Sequence, residues 1–202
     1  MRAEAASLHR QEMAPTLLFV PGIGNSGPDH WQAIWAAALP GSIWVEQRDW
    51  DRPVRDEWVA ALARDLRRAE GPKVIVAHSL GCLAVAEAAE LLPAAGVTGA
   101  LLVAVPDVAG PSFPAEATGF RPALSLGMPV RSILVASSDD PYGTPAHSEA
   151  VARRWGSALV SVGAKGHVNA RSSLGAWAEG RALLERLTGS PPERLDRAPG
   201  GP

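Results

Sequence analysis

The feature that most constrains this chain is the run Lys73-Val74-Ile75-Val76-Ala77, apolar on both alternating faces after one Lys, which breaks at once into His78-Ser79-Leu80-Gly81-Cys82. A strand with no polar face has to be covered on both sides, which places it in the middle of a parallel sheet sandwiched between helices. The rest of the chain alternates short apolar runs with longer segments of helical period, the pattern of strands joined by crossover helices. Further strands are predicted at 16–20, 42–45, 100–105, 130–136 and 158–162. Helices are predicted from Pro28 onward with Trp31, Ile34, Trp35 and Ala38 on one face, around Trp58, Leu62 and Leu66, after Gly81 as far as Pro93, and over 173–187. This is a three-layer α/β/α architecture with a mostly parallel sheet of about six strands. The stretch 107–128 has no clean period, and long connections of this kind are commonly lids or binding loops.

Composition narrows the function classes. The chain has 202 residues, a single domain's worth, with 19 Lys+Arg against 21 Asp+Glu and no basic cluster longer than Arg67-Arg68 or Arg153-Arg154. That balance lacks the electrostatic footprint of nucleic-acid binding. No apolar stretch approaches the roughly 20 residues of a membrane helix, and the charged start around Glu4, Arg10 and Glu12 does not read as a signal peptide. One Cys excludes an intrachain disulfide framework and a Cys-based zinc site, so Cys82 reads as a small buried hydrophobe and the chain as cytoplasmic. Residues 1–14 and 188–202 read as disordered tails flanking a domain at 15–187, because the last segment holds four Pro, three Gly and almost nothing apolar.

In open α/β sheets, ligands sit beyond the carboxyl ends of the strands, so the loops after them hold the candidate chemistry. Ser79 follows the 73–77 strand, Asp139 and Asp140 follow 130–136, and His167 follows 158–162. Ser, Asp, His is the chain order of the α/β-hydrolase fold. A nucleophile elbow needs small residues two before and two after the Ser, and Ala77 and Gly81 supply them although the usual first Gly is absent. Ser-Leu-Gly also occurs at Ser125 and Ser173, so only the preceding strand singles out Ser79.

Among five His, His9 lies in the tail and His147 opens a helix at the surface. His78, beside Ser79, reads as supporting packing. His167, between glycines at 163 and 166 and the next loop, is favoured as the base, with His30 in reserve. For the acid, the residue before Pro141 is held extended, which favours Asp140 over Asp139, the latter then capping a turn; Asp107 is an outsider. An oxyanion hole would use the amide of Leu80 and one from Pro21-Gly22-Ile23-Gly24-Asn25, with Ile23 the choice. Asn25, His30 and His78 are candidate pocket residues. Phe113, Phe120 and Leu124 hint at an acyl pocket but read more simply as packing. Gly22, Gly24 and Gly27 formally spell G-x-G-x-x-G, yet a dinucleotide site would leave Ser79, Asp140 and His167 without a role.

Four blocks in order, 21–28 with His30-Trp31-Gln32, then 77–82, then Ser137-Ser138-Asp139-Asp140-Pro141-Tyr142, then Gly166-His167-Val168-Asn169, resemble a family of small serine hydrolases. It is the family that includes retinoblastoma-binding serine hydrolase and bacterial YdeN-like proteins. The resemblance spans about 16–187. It implies a compact α/β-hydrolase without a large cap domain, with Ser79 as nucleophile, Asp140 as acid, His167 as base, and no metal or organic cofactor. The three reactive residues in this order are read as a site for cleavage of an ester or related acyl bond of a small-molecule substrate, the charge balance and short apolar runs point to no nucleic-acid or membrane partner, and no protein partner is specified. The competing class is a catalytically silent binding module on the same fold.

Overall fold

The computed structural model describes residues 14–189. Six strands form one sheet: β1 (Thr16–Val20), β2 (Ile43–Trp44), β3 (Lys73–His78), β4 (Val97–Val103), β5 (Ser132–Ala136) and β6 (Ala158–Ser161). Their spatial order is β2-β1-β3-β4-β5-β6 and every pairing is parallel. The chain therefore steps outward from β1 to β2, returns to β3 on the other side, and proceeds in one direction to β6. The loops leaving β1 and β3 diverge at this reversal, which opens a crevice above the centre of the sheet.

The helices are α1 (Trp31–Ala38), α2 (Arg55–Arg68), α3 (Leu80–Glu87), α4 (Pro145–Trp155) and α5 (Ala178–Thr188). β3 is buried along its whole length, as its two apolar faces require. On one side Leu18, Ile75, Leu102 and Leu134 pack with Trp58, Leu62, Leu83 and Trp155 from α2, α3 and α4. On the other, Phe19, Val76, Leu101 and Val135 pack with Trp31 and Trp35 of α1 and with Leu183 and Leu184 of α5. Each large side chain buried this way contributes about 1.5–3 kcal/mol.

Several segments depart from the expectations: α1 starts at Trp31 and not Pro28, α3 ends at Glu87 short of Pro93, β4 begins at Val97, and three further differences bear on packing. Helix α1 does not bury Ala38; it buries Gln32 instead, whose Oε1 accepts from Ser26 Oγ at 2.8 Å and whose Nε2 donates to the Val76 carbonyl at 3.0 Å. Helix α5 starts five residues later than periodicity suggests, because Ser173 (φ 51°), Gly175 (φ 56°) and Trp177 (φ 42°) are left-handed. That kink seats the Trp177 ring against Gly180, where an added Cβ would lie 2.6 Å from Trp177 Cζ3, and against Trp31 at 5.0 Å between ring centroids. The irregular segment 107–128 is no free lid over its second half. Phe120, Ala123, Leu126 and Met128 are buried in the α2–α3–α4 layer, Phe120 meets Trp58 edge-on, and Trp155 Nε1 donates to the Ala123 carbonyl at 3.0 Å. It covers the sheet where a crossover helix would otherwise lie. The expected tails fall outside the described residues, as does His9, except for Ala14 and for Thr188 and Gly189, which end α5.

Candidate active site

Ser79 occupies the sharp turn between β3 and α3, with φ 53° and ψ −125°. A non-glycine residue there costs about 1–3 kcal/mol and persists only where its surroundings hold it. Its N–H donates to the Val103 carbonyl at 2.9 Å, and Gly22 approaches so closely that an added Cβ would lie 2.8 Å from Ser79 Cβ. On the far side of the turn, a Cβ on Gly81 would stand 2.6 Å from the Pro21 carbonyl oxygen. The small residue two positions after Ser79 is thus dictated by the end of β1. Ala77, two residues before it, is buried within the sheet and paired with Val20 and Leu102, so a methyl group fits there.

Asp140 follows β5 and is 9% exposed; its Oδ1 accepts from the Tyr142 N–H at 2.9 Å, which closes an Asx turn around Pro141. Its two carboxylate oxygens lie 2.9 and 3.0 Å from His167 Nδ1. The other ring nitrogen, Nε2, is 2.7 Å from Ser79 Oγ. With a carboxylate facing Nδ1, that nitrogen carries the proton and Nε2 is left as acceptor for the serine hydroxyl. Asp139 points elsewhere. Its Oδ1 accepts from Ser137 Oγ and from the Gly166 N–H, each at 2.7 Å, and these two bonds, the Ser137 hydroxyl foremost, hold its carboxyl below the usual range. Asp107, the outsider, stands 3.7 Å from His147.

The loop that carries His167 is pinned from every side. Lys165 N–H donates to Ser137 Oγ at 2.9 Å, Trp31 Nε1 donates to the Val168 carbonyl at 2.8 Å, and Ser172 Oγ donates to the Lys165 carbonyl at 2.6 Å. His78 Nε2 lies 2.9 Å from the His167 carbonyl oxygen, so this imidazole, which packing had suggested as a support, carries its proton on Nε2 and donates. His30 caps α1, its Nδ1 accepting from the Gln32 N–H at 3.1 Å, and its ring packs on Trp31 and His78. Burial pulls His30 down to about 4, with the neighbouring His167 adding to the effect. Burial, then His167 and His30, also push His78 well below its ordinary value. Burial raises Cys82, whose Sγ sits 3.4 Å from the Val103 carbonyl, so it is inert packing.

These groups open onto a pocket of about 230 Å³ in the crevice between the β1 and β3 loops. The expected Ile23, Asn25, His30, His78, Ser79, Leu80 and His167 all line it. Leu80 is the first residue of α3, so its N–H has no intrahelical acceptor. Phe113 joins the lining, whereas Phe120 is core and Leu124 is 47% exposed. The sequence reading missed Pro106, Pro114, Tyr142, Asn169 and Arg171 as pocket residues. Of these, Tyr142 and Asn169 carried a signal, each ending a block that holds a candidate site residue. His147 is a correction: its side chain is 8% exposed, tucked against Asp107, with Nε2 buried. Gly143 beside it packs against the Val105 backbone, since a Cβ on it would lie 2.7 Å from the Val105 carbonyl oxygen. Among the described residues no group of three His, Cys, Asp or Glu side chains is placed to hold a metal, and no helix is long and apolar enough to cross a membrane.

The all-parallel sheet, the turn at Ser79 and the three strand-end loops define an α/β-hydrolase without a large cap. Residues 17–186 match the model of the Serine hydrolase family, and the chain belongs to that family. A YdeN-like hydrolase of Pectobacterium atrosepticum is 29% identical, with 86% of this chain and 90% of that one covered and a TM-score of 0.75. The ydeN gene product of B. subtilis shares the fold at 18% identity, covering 87% of this chain and 100% of its own, with a TM-score of 0.68. Carboxylesterase CesB of Bacillus subtilis does so at 13% identity, 89% and 86% coverage and a TM-score of 0.56. No curated protein sequence matches the chain.

Proposed function

We propose that this hydrolase cleaves an ester or related acyl bond of a small molecule through Ser79, His167 and Asp140. The observation that carries the reading is the continuous chain from Ser79 Oγ to His167 Nε2 (2.7 Å) and from His167 Nδ1 to Asp140 (2.9 Å). His167 takes the Ser79 proton as Oγ attacks the carbonyl carbon, and Asp140 stabilises the imidazolium that results. The tetrahedral oxyanion accepts from the N–H groups of Leu80 and Ile23. Collapse breaks the bond to the leaving group, which departs with the proton from His167 and leaves an acyl-Ser79 ester. Water, deprotonated by His167, then releases the acid and restores the serine.

Removal of an oxyanion donor or of the base in such a site costs several kcal/mol of barrier. A fluorophosphonate probe labels the wild-type protein on Ser79, and Ser79→Ala abolishes both labelling and turnover of short acyl esters. Undiminished labelling of Ser79→Ala refutes the assignment. A protein that is neither labelled nor active on a broad ester panel indicates the silent binding module instead.

A further inference from the structure

The pocket wall is chemically lopsided. Among the described residues none that lines it is acidic, His30 and His78 are held neutral, and the one permanently charged side chain in the lining is Arg171. Among the described residues Arg171 has no carboxylate within ion-pairing distance; its one hydrogen bond runs from its backbone N–H to Asn169 Oδ1 at 3.0 Å. Among the other described arginines, those at 48, 52, 55, 64, 68, 121, 153 and 181 face acidic partners and those at 67, 131, 154 and 186 do not, so what sets Arg171 apart is its place in the pocket lining. An unpaired guanidinium beside a cleft offers a planar fork of donors that matches a carboxylate or a phosphate.

The arginine is also presented from a rigid mount. Asn169 and Ser172 form a reciprocal capping box around the single 3₁₀ turn Ala170–Ser172, and Ser172 Oγ ties that turn to the Lys165 carbonyl. Val168, pinned by Trp31, is fully buried. Arg171 thus stands four residues beyond His167 on the same fixed loop. His167 returns its proton to the departing oxygen, so the leaving group lies against this loop rather than against Ile23 and Leu80.

Resting on the hydrolytic reading above, we propose that Arg171 is the specificity-determining residue of this site, and that the preferred substrate is an ester bearing an anionic group, carboxylate or phosphate, on its leaving-group side. The arginine holds the anion while the acyl part faces Ser79.

The test compares butyrate esters of glycolate, of 2-hydroxyethyl phosphate and of uncharged glycolamide, with butyrate release quantified chromatographically. In the wild type, kcat/KM for at least one anionic ester exceeds that for the glycolamide ester by about tenfold at low salt. The ratio contracts at high salt, because the arginine is solvent-facing. The better of the two anionic esters identifies which anion the site takes. Arg171→Ala brings the ratio to about one, Arg171→Glu drives it below one, and Arg171→Lys keeps part of it, since the charge remains without the fork. A wild-type enzyme that cleaves the glycolamide ester with a ratio of one or less, or a ratio unmoved by Arg171→Ala, overturns this proposal alone. No turnover of any ester together with an unlabelled Ser79 overturns the hydrolytic reading, and this proposal with it.

Discussion

Gly81→Ala isolates the steric demand of the turn at Ser79. The added methyl carbon would collide most closely with the Val20 carbonyl oxygen and would stand 2.6 Å from the Pro21 carbonyl oxygen, both rigid backbone at the end of β1. The Pro21 oxygen is about 0.8 Å short of ordinary van der Waals separation, and the Val20 oxygen falls short by more. Neither partner is a flexible side chain, so the start of α3 or the β1 loop must shift by most of that amount. Overpacking of this kind costs about 1–3 kcal/mol in ordinary cores and more where backbone is the obstacle, so about 2–4 kcal/mol is expected. For a domain of this size that lowers Tm by about 5–15 °C. Activity falls further than stability, because the β1 loop that yields also carries Ile23 and the Gly22 contact with Ser79. The mirror change, Ala77→Gly, relieves no clash and costs only about 0.5–1 kcal/mol of strand stability. Thermal melts and fluorophosphonate labelling rates of the two variants check this. Gly81→Ala melting within about 1 °C of wild type with an unaltered labelling rate would refute the reasoning, since the close approach would then not shape the turn.

Other outcomes follow from the same contacts. Asp140→Ala lowers kcat by about 10³–10⁴-fold, as loss of the orienting acid does in such sites, whereas Asp139→Ala, which loses two loop bonds and no contact to His167, lowers it by about tenfold at most; steady-state kinetics separate them. His30 titrates near 4 in the fold against 6.5 when free. Its depressed value means its contribution is fully present above pH 6.5 and is lost as pH falls toward 4, about 3 kcal/mol in all. His78 acts in the same direction. Urea midpoints between pH 7 and 4.5 should fall accordingly, and His30→Asn, which retains an N-cap acceptor, should flatten part of that slope. His78→Phe removes the donor to the His167 carbonyl and leaves that oxygen unpaired, which costs about 1–3 kcal/mol of stability; chemical denaturation reads the loss directly.

The linear chain by itself determined the parallel sheet, its strand count and three reactive strand ends. A buried strand such as 73–78 announces itself through an apolar run, and the residue types at 79, 140 and 167 are confined to loops by Gly and Pro. It favoured Asp140 over Asp139 through the local constraint of Pro141, and in the fold Asp140 is the one that lies against His167 Nδ1. What the tertiary structure alone decided lies between segments far apart in sequence. Gln32 bonding to Val76, Trp31 holding the Val168 carbonyl, and His78 holding that of His167 depend on strands 1 and 3 flanking the reversal in strand order, for which no local pattern is a signature. The same holds for the late start of α5, where the packing of Trp177 against Trp31 overrides helical periodicity. Arg171 looked like any surface cation in the sequence. Only the folded His167 loop, capped and pinned, sets it at the pocket with no carboxylate among the described residues to neutralise it. Local propensity reads which residues form an element; the charge a pocket presents is set by which elements the fold brings together.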